Sequence, residues 1–527
     1  MPRTKTLLLA AASSLAVLSA SGLAHAQAVV TASAQPSGIS QEQALALSAR
    51  LDALEQRNNE LEAQISDLKA QVASGDQAIR EQVSATSVSV ANGRPTIASA
   101  DGQFTAAFRT VFQLDGAHYD QDRPGPLASD FRRGSLGDAT EADRARDLSD
   151  GFNFRRARLG VEGKFFKDWN YGLQFDFGGS GTEEAGRINN AFIEYAGLAP
   201  FRFRVGAFPP TTGLEDATSN TAMLFLERPA VAELVRGFAG GDGRTAAAAM
   251  ANGERWTALA AVTGNLIGTQ TYDEQLGFVG RLTYVPFRGD GWTTHVGASA
   301  NLIINPAATG PDVPASGGAA TTVRLRERPE NRVDPTRLVD TGSIDADGVT
   351  ALGAEAGWQF KQLSLAGEYF WIDVERRTGA LADPDFSGWY VQGAWTLTGQ
   401  PRRYNATSGG FDTPRVEKPF DLKANSWGVW ELAARYSTLD LNYRAGPAGT
   451  ALPSPSSIRG GEQRIISVGL NWYPNNTVRF LADFQHVEVD RLSPGGTAFG
   501  AGALTPPAGA QIGQELNIWS LRTQYAF

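Results

Sequence analysis

The sequence predicts an all-β fold, a transmembrane antiparallel β-barrel of about sixteen strands preceded by a short α-helical coiled coil, and three observations carry that prediction. From Gln103 onward, segments alternate apolar and polar residues with period two and are separated by Gly, Pro, Asp and Asn. The last of them, Glu515 to Phe527, sets Trp519, Leu521, Thr523, Tyr525 and Phe527 against Ser520, Arg522, Gln524 and Ala526, and ends the chain on an aromatic residue. Connections between segments alternate short with long, as they do when short turns face the periplasm and long loops face outward. The same alternation fits a half-buried strand of a soluble sandwich; the aromatic-ended strand at the C-terminus favours the barrel.

Residues 1–26 read as a secretory signal: Arg3 and Lys5 precede the apolar run Leu7 to Leu18, and Ala24-His25-Ala26 is a small-x-small cleavage site. Its removal takes away two basic residues and moves the net charge from −9 to −11. An acidic exported chain argues against nucleic acid as a partner. The absence of Cys excludes a disulfide scaffold and thiolate metal sites. After the signal, no run of about 18 apolar residues offers a spanning helix.

A polar segment, 27–39, leads to residues 40–75, where Leu47, Leu51, Leu54, Asn58, Leu61, Ile65, Leu68 and Val72 follow alternating four- and three-residue steps. That heptad seam predicts a self-associating periplasmic coiled coil, with Asn58 as a lone polar residue fixing register. A single amphipathic helix lying on the barrel is the alternative. Residues 76–102 read as a polar linker and 103–527 as the barrel domain.

Within the barrel, Phe104, Phe108, Phe112 and Leu114 oppose Arg109, Gln113 and Asp115. Ala157, Leu159, Val161 and Phe165 oppose Arg156, Arg158, Glu162 and Lys164, and the pattern recurs through Val478, Phe480, Ala482 and Phe484. One connection breaks the length rule, because Gly399 to Asn425 is long yet falls on the periplasmic side.

Forty of the 47 basic residues are Arg, an always-charged planar donor suited to phosphate and carboxylate. Alternation projects Arg156, Arg158, Lys164, Arg202, Arg204, Arg281, Arg435 and Arg522 into the lumen, where a positive lining favours anions. The competing reading pairs these cations with lumenal Glu162, Glu194, Glu431 and Asp176. Residues 209–243 mix Met223, Leu224, Phe225 and Leu226 with charge, more apolar surface than a solvated loop needs. The segment reads as a constriction loop folded into the barrel, with Glu215, Phe225, Glu227, Arg228 and Arg236 as candidate lining; a subunit-contact loop or a lid is the alternative.

The run Phe154-Arg155-Arg156-Ala157-Arg158-Leu159-Gly160-Val161-Glu162-Gly163, with Trp169-Asn170-Tyr171, Phe175-Asp176-Phe177, Gly213-Leu214-Glu215, Leu226-Glu227-Arg228 and Trp430 to Ser437, resembles the phosphate-selective porin O and P family. The resemblance covers nearly the whole barrel. It implies a homotrimeric, sixteen-stranded channel of the Gram-negative outer membrane that passes phosphate or related anions along lumenal Arg past an infolded third loop, with Arg156, Arg158 and Arg435 on the motif. It also implies that outer-membrane lipid and the barrel-assembly machinery, through the strand ending in Phe527, are partners. Members with strict phosphate selectivity add a lumenal Lys cluster, whereas this barrel has only Lys164, Lys167, Lys361, Lys418 and Lys423, so strict phosphate selectivity is not carried over.

An enzyme on a barrel is the rival class. His118, His295 and His486 lie far apart in sequence and in no catalytic motif, so no catalytic residue, metal site or cofactor is expected. A third reading makes the coiled coil an envelope tether and the barrel a general or weakly selective porin; loss of envelope attachment on deleting Ser40 to Gly75 would mark it.

Overall fold

The computed structural model describes residues 40–84, 86–91, 93–121, 148–179, 186–308, 321–377, 379–495 and 507–527. The expected signal (1–26) and polar segment (27–39) lie outside them. The chain divides into two compact units, Met1–Ser84 and Ala85–Phe527.

The described part of the first unit is one helix, α1 (Gln41–Ser84), 44 residues long. Ser40 opens it as a capping box: its Oγ accepts from the Gln43 N–H, and the Gln43 side chain accepts from the Ser40 N–H, both at 3.3 Å. The helix runs beyond Gly75, the end read from the sequence. Residues 76–102, expected as a linker, supply its last turns and then an antiparallel hairpin, Thr86–Ala91 against Arg94–Ser99. Ser, Thr and Val alternate through that stretch, a β pattern that its polarity masks.

Sixteen strands form the second unit's barrel: β1 (Thr105–Gln121), β2 (Gly151–Phe165), β3 (Trp169–Asp176), β4 (Arg187–Leu198), β5 (Phe201–Ala207), β6 (Arg244–Asn252), β7 (Trp256–Leu266), β8 (Leu276–Tyr284), β9 (Trp292–Asn305), β10 (Ile344–Phe360), β11 (Leu363–Arg376), β12 (Asp385–Thr396), β13 (Val429–Tyr443), β14 (Ile458–Tyr473), β15 (Val478–Asp490) and β16 (Glu515–Ala526). Each pairs antiparallel with the next, and β16 closes on β1 from Leu516↔Gln121 to Ala526↔Val111. Phe527 finishes the seam by exchanging backbone bonds with Thr110 at 3.1 and 3.2 Å. Below that point β1 would present a bare edge; Arg94–Ser99 covers it by pairing with Thr105–Ala107.

Outward side chains form two aromatic girdles. Near the short turns, Trp169 meets Tyr195 at 4.9 Å and Trp430 stacks on Trp472 at 5.4 Å. Toward the long loops, Tyr369 meets Trp371 at 4.4 Å and Phe484 meets Trp519 at 4.5 Å. Leu, Val, Ala and Phe fill the band between, the arrangement that matches a bilayer with two interfaces. The short turns are tight: in the three-residue connection between β2 and β3, Phe166 and Lys167 both adopt positive φ (47° and 64°).

The interior is not uniformly wet. Ile303, Phe370, Ile372, Val374, Phe386, Leu439 and Ile465 face inward and pack a buried apolar cluster with residues of the infolded loops. A polar lumen in the simple alternating sense holds only where those loops do not reach.

Candidate functional site

Three connections fold into the barrel: loop 3 (208–243, after β5), the described part of loop 5 (321–343, before β10), and the long periplasmic segment (397–428, between β12 and β13). The exceptional length of the last has its reason here, since it enters the lumen instead of turning.

Loop 3 carries α2 (Leu214–Ala217) and α3 (Ala230–Ala239). In α3, Val231, Leu234, Val235 and Phe238 bury against the apolar wall, which makes the loop part of the core. Its ends are held by charge. The Glu330 carboxylate of loop 5 accepts from the Ala230 N–H at 2.9 Å, and Arg244 donates to the carbonyls of Gly240 (2.8 Å) and Gly237 (3.1 Å) beyond the C-terminus. In the last turn of α3, Asn301 on β9 accepts from the Ala239 N–H and donates to the Val235 carbonyl, at 3.0 and 2.7 Å.

The sequence-predicted lumenal arginines divide into two groups. Arg156, Arg158, Arg281, Arg435 and Arg522 are buried, at side-chain exposures of 8% or less, and each binds a carboxylate or a carbonyl of an infolded segment or the wall. They do not line an open wet surface; they grip the loops. Glu227 is the centre of that grip: Arg155 Nε lies 2.7 Å away, Arg522 Nη2 3.3 Å, Arg156 Nη2 3.6 Å and Arg332 Nε 3.7 Å. Burial alone would raise the pKa of this loop carboxyl, but Arg155, Arg156, Arg332 and Arg522 hold it well below the usual carboxylate range. Arg522 also forks onto Asp115 with two 2.6 Å bonds.

Arg158 bridges Asp176 and Asp242, each at 2.6 Å. Arg236 binds Asp216 at 2.6 Å and also Asp242. Arg228 stays within 3.6 Å of Glu233 and 3.8 Å of Asp216. Arg435 donates to the Glu227 carbonyl at 3.1 Å, binds Glu330 and covers the Phe225 ring at 4.4 Å. Glu215 accepts from Gln392 at 2.7 Å. All five constriction-loop candidates, Glu215, Phe225, Glu227, Arg228 and Arg236, are therefore buried in the packed interior rather than presented on a rim.

Several residues of this network escape the sequence reading. Arg155 belongs by simple alternation with the lipid-facing set, yet the ladder steps from Gln113↔Arg156 to Leu114↔Phe154, leaving Arg155 unopposed in a bulge that turns it inward. Two consecutive Arg inside an alternating strand are the readable sign, because a lipid-facing Arg is costly. Arg402 reaches Glu431 at 3.0 Å from the periplasmic segment, and Arg479 donates to the Met223 carbonyl at 2.6 Å.

The periplasmic segment meets loop 3 closely: a Cβ on Gly410 would stand 2.9 Å from the Ala217 backbone, so only glycine fits. The segment is anchored by Arg281, which donates to the Ser408 and Gly409 carbonyls at 2.7 Å and forks onto Glu355. His295 joins this knot, 2.8 Å from both Tyr404 Oη and Glu355. His118 pairs with Asp150 and His486 with Asn517, so the three histidines stay apart. Among the described residues no cluster of three or more His, Asp or Glu could hold a metal ion.

The second group stays accessible. Arg202 and Arg204, side chains 24% and 23% exposed, flank Glu194 at 3.9 and 2.7 Å. The Arg204 guanidinium lies over the Phe192 ring at 4.1 Å. Both border a lumenal recess of about 180 Å³, completed by Arg281, Phe208, Thr257, Thr407 and Ser408. Three guanidiniums there face two carboxylates, Glu194 and Glu355. Lys164 is exposed near the turn between β2 and β3 and is not part of the recess.

The family model for phosphate-selective porin O and P matches residues 129–501, and the chain belongs to that family. Porin O of Pseudomonas aeruginosa is 26% identical over 387 residues, 68% of this chain and 83% of that protein. Among solved structures, an anion-selective porin from Comamonas acidovorans is 11% identical with a TM-score of 0.46, covering 80% of this chain and all of that one. The outer membrane protein OmpT of Vibrio cholerae, in trimer form, is 10% identical with a TM-score of 0.44 over 80% of this chain and 99% of that one. The protein is an outer-membrane porin of a Gram-negative bacterium.

Proposed function

We propose that this porin is a passive diffusion channel for small anionic solutes, phosphate and polyphosphate within that class, and that solutes pass the Arg202–Arg204 recess. The observation that carries the reading is that two guanidiniums, Arg202 and Arg204, keep solvent contact at that recess and share a single carboxylate, Glu194. A guanidinium fork offers an oxyanion paired donors without dehydrating it fully, which favours entry and still permits exit. No bond is made or broken in this reading, and no cofactor takes part. Assembly as a homotrimer, insertion by the barrel-assembly machinery through the strand ending in Phe527, and contact with outer-membrane lipid belong to the same proposal.

The test is single-channel recording with the zero-current potential measured across a salt gradient. Anion preference is expected, with phosphate lowering chloride current. Replacing Arg202 and Arg204 together by Ala should move the zero-current potential toward neutrality; a cation-selective wild-type channel would overturn the reading. A second, weakly selective reading is favoured by the paired state of Arg156, Arg158, Arg435 and Arg522, whose charge carboxylates balance. It predicts a small zero-current potential that phosphate does not change. Its tether component, with α1 reaching the cell wall, predicts that deleting residues 40–75 releases envelope attachment while conductance persists.

A further inference from the structure

A lumenal wall that met only water would be polar at its inward positions, and the wall beside Arg202 is not. Strand register sets Arg202 opposite Met250, Met250 opposite Leu259 and Leu259 opposite Arg281, so one continuous rung crosses β5 to β8. All four residues line the recess. With neighbouring strands about 4.8 Å apart, Met250 and Leu259 form an apolar floor between two guanidiniums. Both pack against the buried cluster of Phe208, Ala239, Ala248, Ala261 and Val279, yet both stay only half-buried.

The guanidiniums around that floor differ in what they have left to donate. Arg281 forks onto Glu355 and donates to the Ser408 and Gly409 carbonyls. Arg204 gives Nε and Nη2 to Glu194 at 2.9 and 2.7 Å. Arg202 makes one hydrogen bond among the described residues, from Nη2 to Asn252 Oδ1 at 3.2 Å, and its buried Nε has no partner. The spare donors therefore lie at the Arg202 end of the floor. Arg202 and Arg204 against the one carboxylate of Glu194 leave a single positive charge there, which a monoanion balances. Inorganic phosphate gains nothing from Met250 and Leu259 and would have to shed water to approach them. A carboxylate carried on an apolar body uses both parts of the recess. At about 180 Å³ the recess is smaller than the roughly 300–1,000 Å³ of sites that take drug-sized ligands, so that body is compact.

We infer that the recess selects small organic monocarboxylates with a compact apolar body, the carboxylate seated at Arg202 and the body lying on Met250 and Leu259. The inference rests on the reading of the recess as part of the solute path, and it names the solute class that path prefers. Contact with the apolar floor lengthens each visit, so a solute of this class obstructs chloride while it passes.

Chloride current through the full-length protein in a planar bilayer, recorded at neutral pH with added benzoate or acetate, separates the body from the charge. Both are monocarboxylates, and only benzoate carries an apolar ring. Benzoate should halve the current at roughly one-tenth of the acetate concentration, the gain from burying about two methylene equivalents. Met250→Gln and Leu259→Asn, which keep the side-chain size and replace its apolar surface, should each bring that ratio toward one. Arg202→Gln should weaken the block by both acids, with heat-modifiable mobility confirming that each variant is folded. Equal potency of the two acids in the wild-type channel, an unchanged ratio in both floor variants, or an undiminished block in Arg202→Gln would overturn the inference. Should any of these occur in a channel that prefers anions and is blocked by phosphate, the channel reading stands and only the solute class falls. A cation-selective wild-type channel would remove both.

Discussion

Glu227 lies buried within 3.7 Å of four guanidiniums, and together with Asp115 and Glu233 it balances the charge that Arg155, Arg156, Arg332 and Arg522 carry into the packed interior. Removing one partner of a buried ion pair leaves the other charge unpaired and costs about 3–5 kcal/mol. Glu227→Gln keeps the shape and removes the charge, so Arg155, Arg156, Arg332 and Arg522 would repel one another across loop 3. The expected result is a barrel that still folds but whose loop 3 is cut by added protease and whose open-channel current becomes noisier. Glu375→Gln, at an exposed strand end, is the control and should change neither. Should the two variants behave alike, Glu227 does not hold the loop. Arg155 teaches the complementary lesson: its inward direction depends on a bulge, and strict alternation assigns it to lipid.

At the scale of elements, period-two patterning makes the barrel readable from sequence because lipid and lumen impose opposite polarity on successive residues. The final strand, Trp519 to Phe527, and the faces of β3 need nothing beyond it, whereas β2 follows it except at the Arg155 bulge. What the pattern does not give is the destination of the connections. Loop 3 shows itself through Met223 to Leu226, but the segment 397–428 looks like ordinary loop, rich in Gly, Pro, Asp and Asn; only its length on the short-turn side and the residues Arg402, Tyr404, Phe411 and Val416 hint that it is buried. The hairpin over Thr86–Ser99 is hidden for a different reason, since Ser and Thr carry much of its alternation and their polarity reads as linker. The lumenal arginines are legible as residues and not as an environment, because their pairing requires carboxylates from loops distant in sequence. If the periplasmic segment obstructs the lumen, replacing Arg403–Asp412, the small hairpin at its tip, with a short Gly-Ser link should raise single-channel conductance while leaving the heat-modifiable mobility of the folded barrel unchanged. An unaltered conductance would place the obstruction elsewhere.

For the molecule as a whole the bilayer is the second solvent, and the barrel is stable only because its outward set matches the depth of each position. Leu521, 66% exposed on the outward face of β16, sits near the middle of that strand, whereas Glu515 lies at its long-loop end. An Arg on the lipid face costs about 2–4 kcal/mol at the midplane and about 0–1 kcal/mol near the interface. Leu521→Arg should therefore lower the denaturant midpoint for folding into lipid vesicles by far more than Glu515→Arg does. The comparison is instructive because both substitutions are on the same strand and the same face, next to the seam where β16 closes on β1, so strand propensity and closure are held nearly constant. What differs is the surrounding medium. Equal penalties at the two positions would mean that the outward face of β16 meets protein or water rather than a bilayer of graded polarity, and the orientation of every other strand would have to be read again from that result.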